Sequence, residues 1–330
     1  YLLLAELDQH KKIHIGKFYM RRILRIWFLY YAVVIFGFFI FPWLRNFFIA
    51  EQYVETATLW KYLLFLSNFD LIDKGLPYGS GLGVTWSLSV EEQFYLLWPL
   101  ILSVVKRKYF IHLTLFLFVL GNILLFFFNL SYVHTLGSMT DISLGGFLAV
   151  ICFEKNKLFF FLLKTSKKDI SIIYITGFIH IYTFSLFNIG YSILISFFMA
   201  FVVFEQCYSQ NSFVKMKDYS RISYLGTLTY GLYLLHTICN FIVHNFIKAF
   251  CANISFPVFT DLFLQPVLAL ILTIVAGYLS FNYIEKPLLN LKHKFTLVDN
   301  STEQKTPHIK VPVFQTGGIK IKKVPEFSLN

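Results

Sequence analysis

The sequence predicts an all-α protein, a polytopic bundle of transmembrane helices, and three observations predict it. First, 57% of the 330 residues are hydrophobic and only 14% are charged, against about 45–50% and about 25% in soluble domains. Second, the mean hydropathy is +0.63 and the aromatic share 20%. Forty phenylalanines exceed what a water-soluble chain of this size can cover with polar surface. Third, the apolar residues gather into runs long enough to cross a bilayer, for which about 20 helical residues at about 1.5 Å each suffice.

Taken in order, eight runs qualify: 26–44, 86–105, 109–129, 136–153, 170–187, 190–207, 222–243 and 263–283. A ninth stretch, Leu59–Phe69, is too short for a span and is expected to be re-entrant or interfacial. With eight crossings, Arg45, Lys61, Lys74 and Lys248 fall on one side and the other 25 of the 29 Lys+Arg fall on the opposite side. This asymmetry assigns the N-terminal segment and the C-terminal tail to the cytoplasm. Residues 1–290 read as the membrane domain. Residues 291–330 read as a flexible cytoplasmic tail, polar and carrying Pro307, Pro312 and Gly317–Gly318. Tyr1–Leu7 reads as the closing turns of an apolar helix that begins upstream.

The net charge of +11 belongs to these basic loops. No aromatic-interleaved basic surface accompanies it, so nucleic acid is excluded as a partner. Cys152, Cys207, Cys239 and Cys251 show no CxxC spacing and read as packing residues, giving neither a disulfide framework nor a metal site. His10 and His14 sit among lysines and read as solvated.

Ionisable groups inside a membrane are costly and mark function. Glu91 lies 15 residues before Lys106, Asp141 lies 13 before Glu154, and His236 lies 15 after Arg221. At helical rise these are depths of roughly 20–22 Å from the basic side, so the three share a level. Each also has a plainer reading. Ser89 and Glu92 fit a capping box, with Glu91 a first-turn charge complementing the helix dipole. A helix starting at Ser89 is too short to cross, however, so it begins earlier or its end is buried in protein. Asp141 fits a helix N-terminus ahead of Gly145–Gly146, and His236 fits a core histidine bonded to a carbonyl. Tyr230, Tyr233 and His236 follow one helix side, as do Glu91, Tyr95 and Trp98. Both rows suit a polar cavity able to hold a sugar hydroxyl, or an aromatic packing stripe. Arg22 and Arg25, three apart, form either a positive-inside anchor or a guanidinium pair for phosphate.

Together these segments resemble the bacterial acyltransferase-3 family of integral membrane O-acyltransferases. The resemblance rests on Phe18-Tyr19-Met20-Arg21-Arg22-Ile23-Leu24-Arg25, on Thr85-Trp86-Ser87-Leu88-Ser89-Val90-Glu91-Glu92-Gln93-Phe94-Tyr95 with Trp98-Pro99, and on Asp141 with Gly145–Gly146. Thr229-Tyr230-Gly231 with Tyr233 and His236, and Tyr283-Ile284-Glu285-Lys286-Pro287, complete it in the family's order.

The resemblance implies a ten-helix enzyme of the bacterial inner membrane. Such an enzyme transfers an acyl group, commonly acetyl from acetyl-CoA, to a hydroxyl of an envelope glycan or glycolipid, with no metal. It implies a catalytic histidine on a first helix that this chain does not contain, and a proline where Phe28 stands. On that basis Arg22 and Arg25, with Arg21, are expected to hold the CoA phosphates. Glu91 and His236 are expected to be catalytic, with Tyr95, Asp141, Tyr230 and Tyr233 meeting the substrate. The alternative from another class is a proton-coupled transporter or flippase using Glu91, Asp141 and His236 as its proton path.

Overall fold

The structure, a computed structural model, describes residues 1–49, 55–77, 81–186, 193–250, 260–292 and 295. The expected tail falls almost wholly outside these residues, as does Cys251. Among the described residues every regular element is a helix. After a short α1 (Leu2–His10), α2 (Ile15–Ile35) continues through a π-turn, Phe36–Ile40, into α3 (Phe41–Ile49). α2 runs unbroken past Phe28, so the irregularity comes two turns later than the family's proline would put it. The stretch 59–69 forms two short helices, α4 (Leu59–Leu63) and α5 (Ser67–Lys74).

The described residues of the remaining apolar runs are mostly helical: α6 (Thr85–Val104), α7 (Phe110–Phe127), α8 (Thr135–Glu154), and, after a short α9 (Lys157–Leu163), α10 (Lys167–Leu186), α11 (Ile193–Tyr208) and α12 (Ser220–Phe250). A π-turn, Thr260–Leu264, leads into α13 (Gln265–Ser280), and a second, Phe281–Glu285, joins α13 to α14 (Lys286–Lys292).

Among the described residues four stretches are long and apolar enough to cross a membrane: Ile15–Arg45, Arg107–Phe127, Thr135–Glu154 and Leu262–Leu291. Their outward faces leave Phe116, Phe126, Leu270 and Ile271 exposed, which suits lipid and not water. The protein is an integral membrane protein. Sixteen residues of α11 are described, and α6 carries Glu91 and Glu92 within its apolar run.

Packing sets the frame of the site. α7 packs along α8, and α12 along α13. The second contact is close because Gly231 and Gly277 face each other: a Cβ on Gly231 would lie 3.4 Å from the Gly277 Cα and 3.0 Å from Glu285 Oε1. Small residues let membrane helices approach in this way. One core cluster joins Leu29, Tyr30, Val33 and Val34 of α2 to Tyr62, Phe65, Leu82, Leu88 and Leu234. A second joins Leu3 and Leu4 to Phe18, Leu102, Phe110 and Val150.

Within the first cluster the chain between α4 and α5 turns at Phe65, which has φ +56°. That is an unfavourable conformation for a bulky side chain. The Phe65 ring stacks on Tyr30 with centroids 4.3 Å apart.

Candidate active site

The site lies on the seam between α2 and α6, which run antiparallel. Contacts descend one helix as they climb the other: Trp27 Nε1 donates to Glu92 Oε2 at 3.1 Å, Arg22 stacks over the Tyr95 ring at 4.1 Å, and the Tyr19 hydroxyl donates to the Leu96 carbonyl at 2.7 Å. α6 begins at Thr85, not at Ser89. Ser89 is therefore inside the helix, and its buried hydroxyl pairs with that of Ser67 at 2.7 Å, which also accepts from Thr85 at 3.1 Å. The capping-box reading fails because the serine serves a neighbouring helix. Glu91 and Glu92 sit nearly two turns into α6, facing protein.

Glu91 is partly buried and receives a long contact, 3.5 Å, from the Tyr95 hydroxyl. Arg22 and Arg25 both act on it electrostatically, and Arg22 acts on Glu92 and Tyr95 as well. Glu92 Oε1 is buried without a hydrogen-bond partner. Arg25 is exposed although it lies ten residues into α2, so the seam is open at that level.

The sequence puts Arg22 at the basic edge, with Glu91 far above it. The structure instead brings Arg22 against Tyr95, one turn from Glu91. The cause is geometric. Arg22 stands seven residues inside α2 and Tyr95 nine residues from the end of α6, so both lie about 10–14 Å into the bundle.

The three arginines make different contacts. Arg21 turns away from the seam, with its NH2 3.2 Å from Glu6 Oε2 and its NH1 donating to the Phe295 carbonyl at 2.7 Å. Glu6 is only 1% exposed, and its Oε1 also accepts the His14 backbone N–H at 2.7 Å and faces His14 Nδ1 at 3.0 Å. His14 is thus a partner of a buried acid and not a solvated loop residue.

Tyr230 reaches across from α12 and donates to the Ile26 carbonyl at 2.6 Å, within electrostatic range of Glu285, Glu92 and Glu91. Tyr233 and His236 stand apart from this cluster. The Tyr233 hydroxyl pairs with Ser87 at 2.6 Å and donates to Val84 O at 3.1 Å, near the start of α6. His236 is exposed, and its Nδ1 lies 2.6 Å from the Tyr233 carbonyl. It keeps company with its own helix and does not pair with Glu91. Asp141 accepts from the Tyr132 hydroxyl at 2.6 Å, while its Oδ1 is buried and unpartnered. It lines a cavity of about 650 Å³ between α8 and α11 rather than the α2–α6 seam.

Three residues that the sequence reading left without a role belong to the assembly. Glu285, 6% exposed, accepts from Ser280 at 3.1 Å and lies within the field of Arg25. It sits on a π-turn, a geometry that is frequent at functional sites. Gln93, directly after the acidic pair, donates to Phe65 O at 2.7 Å and Asn68 Oδ1 at 3.0 Å and accepts from Thr135. Trp27 is the third. No spacing rule flags partners this distant in sequence.

A cluster of guanidinium, carboxylate and phenol groups within an apolar helix bundle defines a membrane protein with an ionic site between its helices. The chain belongs to the acyltransferase-3 family: the family's acyltransferase domain (Acyl_transf_3) matches residues 1–281. It is similar to the O-acetyltransferase OatA of Staphylococcus aureus strains NCTC 8325 / PS 47, COL and MRSA252, at 26% identity over 321 residues, covering 87% of this chain and 49% of each relative. The chain thus spans about half the length of the curated relatives it matches. No solved structure matches it significantly.

Proposed function

We propose that this chain is the membrane-embedded part of an O-acyltransferase that moves an acyl group, acetyl from acetyl-CoA, to a hydroxyl of a cell-envelope glycan or glycolipid. The observation that carries the reading is the pair Arg22 and Arg25 set against Glu91 across the α2–α6 seam. The name of the S. aureus relatives, O-acetyltransferase, agrees with it.

In this reading all eight apolar runs cross the inner membrane, and the basic ends of α2 and α6 face the cytoplasm. The donor enters there, and Arg22 and Arg25 hold its phosphates through charge-assisted bonds. From Tyr95, beside Arg22, to Ser87, beside Tyr233, α6 rises about 12 Å. An extended thioester arm spans that interval and brings the acyl carbon between Glu91 and the Tyr233–His236 pair. The acceptor hydroxyl loses its proton to a base that Glu91 orients, the upstream histidine that the resemblance implies; its oxygen then bonds the acyl carbon as the C–S bond breaks, and the CoA sulfur takes that proton and leaves as the thiol. The thioester carbonyl needs a hydrogen-bond donor as its oxygen gains charge; the phenol of Tyr233 would supply it by releasing the Val84 carbonyl, with His236 beside it positioning the acceptor.

Membranes containing the full-length protein, incubated with labelled acetyl-CoA and envelope glycan, test the proposal. Label transferred to glycan hydroxyls by wild type and lost in Glu91→Gln supports it. Full transfer by Glu91→Gln removes Glu91 from the mechanism. Proton-driven movement of a glycan precursor without transfer of label would establish the transporter reading instead.

A further inference from the structure

We infer that Glu6 is a positioning residue for the donor site: it withdraws Arg21 from the phosphates and fixes the rotation of α2 so that Arg22 and Arg25 alone face the seam. This rests on the acyltransferase reading and deepens it.

The argument begins with helical phase. On α2, residues 21 and 25 are four apart and 22 and 25 three apart, so Arg25 lies between the other two around the helix axis. A single phosphate group approaching Arg25 has either neighbour within reach. The structure decides between them. Both Glu6 oxygens are committed, one to His14 through its backbone N–H and ring, the other to Arg21. Arg21 is committed twice, to Glu6 and to the Phe295 carbonyl just beyond α14. One carboxylate and one guanidinium thereby join α1, the α1–α2 turn, α2 and the chain after α14.

Glu6 is almost completely buried and the Arg21 side chain is 14% exposed. A buried ionic contact of this kind is costly to break from one side, because the remaining charge is left without a partner. Rotating α2 to bring Arg21 toward the seam would break both of its bonds and carry Arg22 off the Tyr95 ring. Arg22, stacked at 4.1 Å on that ring, and Arg25, exposed, are then the two guanidiniums left for an anion. Two forks suit the two phosphoryl groups of a diphosphate.

The test compares Glu6→Gln, Arg21→Gln and the double variant of the full-length protein in membranes, with acetyl-CoA as the varied substrate and labelled acetyl-CoA for direct binding. If the contact is a positioning device, each single variant raises the donor KM and weakens binding by roughly tenfold, the worth of one charge-assisted bond. In that case kcat stays within about twofold, and the double variant is no worse than either single. If Arg21 is itself a phosphate ligand, Arg21→Gln weakens donor binding while Glu6→Gln does not, and the proposal falls. Equal fall of kcat and protein level with KM unmoved shows a purely structural contact and also overturns it. Where Glu6→Gln does not accumulate, Glu6→Asp keeps the charge but shortens the reach, and a wild-type donor KM in that variant is equally fatal. Wild-type membranes that bind no acyl-CoA refute the acyltransferase reading itself. Wild-type binding with Glu6→Gln unchanged refutes only the role of Glu6.

Discussion

Replacing Gln93 by leucine removes a polar staple while keeping most of the side-chain volume, and its cost can be worked from the structure. The amide donates to Phe65 O and Asn68 Oδ1 and accepts from Thr135. After the change, Thr135 Oγ1 still receives the Asn68 amide at 3.1 Å, so that side is partly satisfied. The Phe65 carbonyl and Asn68 Oδ1 are not, and both residues are buried, at 7% and 0% exposure. Two stranded buried acceptors cost about 1–3 kcal/mol each. The bond to Phe65 also restrains a residue already held at φ +56°. A loss of about 3–4 kcal/mol follows, toward the upper end of single-substitution effects. At about 2 °C per kcal/mol for a chain of this size, the purified protein in detergent should unfold about 6–8 °C lower by scanning fluorimetry. Proteolysis should open first between α4 and α5. An unfolding temperature within about 1 °C of wild type would refute the reasoning, since it would mean that Gln93 holds nothing in place.

Three further outcomes follow from the same geometry. Glu91→Gln keeps an acceptor for Tyr95 but removes the charge facing Arg22 and Arg25; acetyl transfer should drop about 10²–10⁴-fold at unchanged protein level by immunoblot. Arg25→Ala removes an exposed guanidinium and should raise the donor KM roughly tenfold, with little change in unfolding temperature. Asp70 tests pH dependence. Burial pushes its carboxyl up, but the Thr58 hydroxyl and backbone N–H, the Lys61 bond and the charge of Lys74 more than reverse this, leaving it below the usual carboxylate range. The stability it contributes is complete above the unfolded-state value of about 3.9 and is lost as pH falls through the lower folded value. Protection against hydrogen exchange in residues 58–74, after correction for the intrinsic pH dependence of amide exchange, should stay flat from neutral pH down to about 4 and fall only below it. Loosening already at pH 6 would exclude Asp70 as the cause.

The helices were legible because a run of about 20 apolar residues has few other ways to satisfy its backbone in lipid. The start of α6 was not. Ser89 has the chemistry of a cap, and only the position of Ser67 on another helix shows that its hydroxyl is already used. Depth was misread for a related reason. Charges define the boundary in a hydropathy reading, so an arginine drawn inward by carboxylates and a tyrosine face is taken for the boundary itself. Arg22 is such a case, and once its partner Tyr95 is known the two helix ends give consistent depths. The acidic pair beside Gln93 was readable as a constellation, whereas Glu6 with Arg21, Gln93 with Thr135 and Tyr230 with the Ile26 carbonyl are tertiary facts. They join residues that no local period relates.

These tertiary facts share a design that bears on how the site works. α2 is strutted to α6 and α12 by aromatic side chains with a polar tip: Tyr19 to the Leu96 carbonyl, Trp27 to Glu92, and Tyr230 to the Ile26 carbonyl. Such groups fill volume with few rotatable bonds, so fixing them costs little entropy for the length they span. Two of the three end on backbone carbonyls, and Leu96 lies three residues before Pro99, whose missing N–H thins the hydrogen-bond ladder nearby. Two of the struts therefore hold the helices themselves, and only Trp27 engages an ionic group. Long, flexible arginines are easier to place when the rods carrying them cannot turn, and the aromatic content of this chain thus serves the ionic site as well as the lipid face.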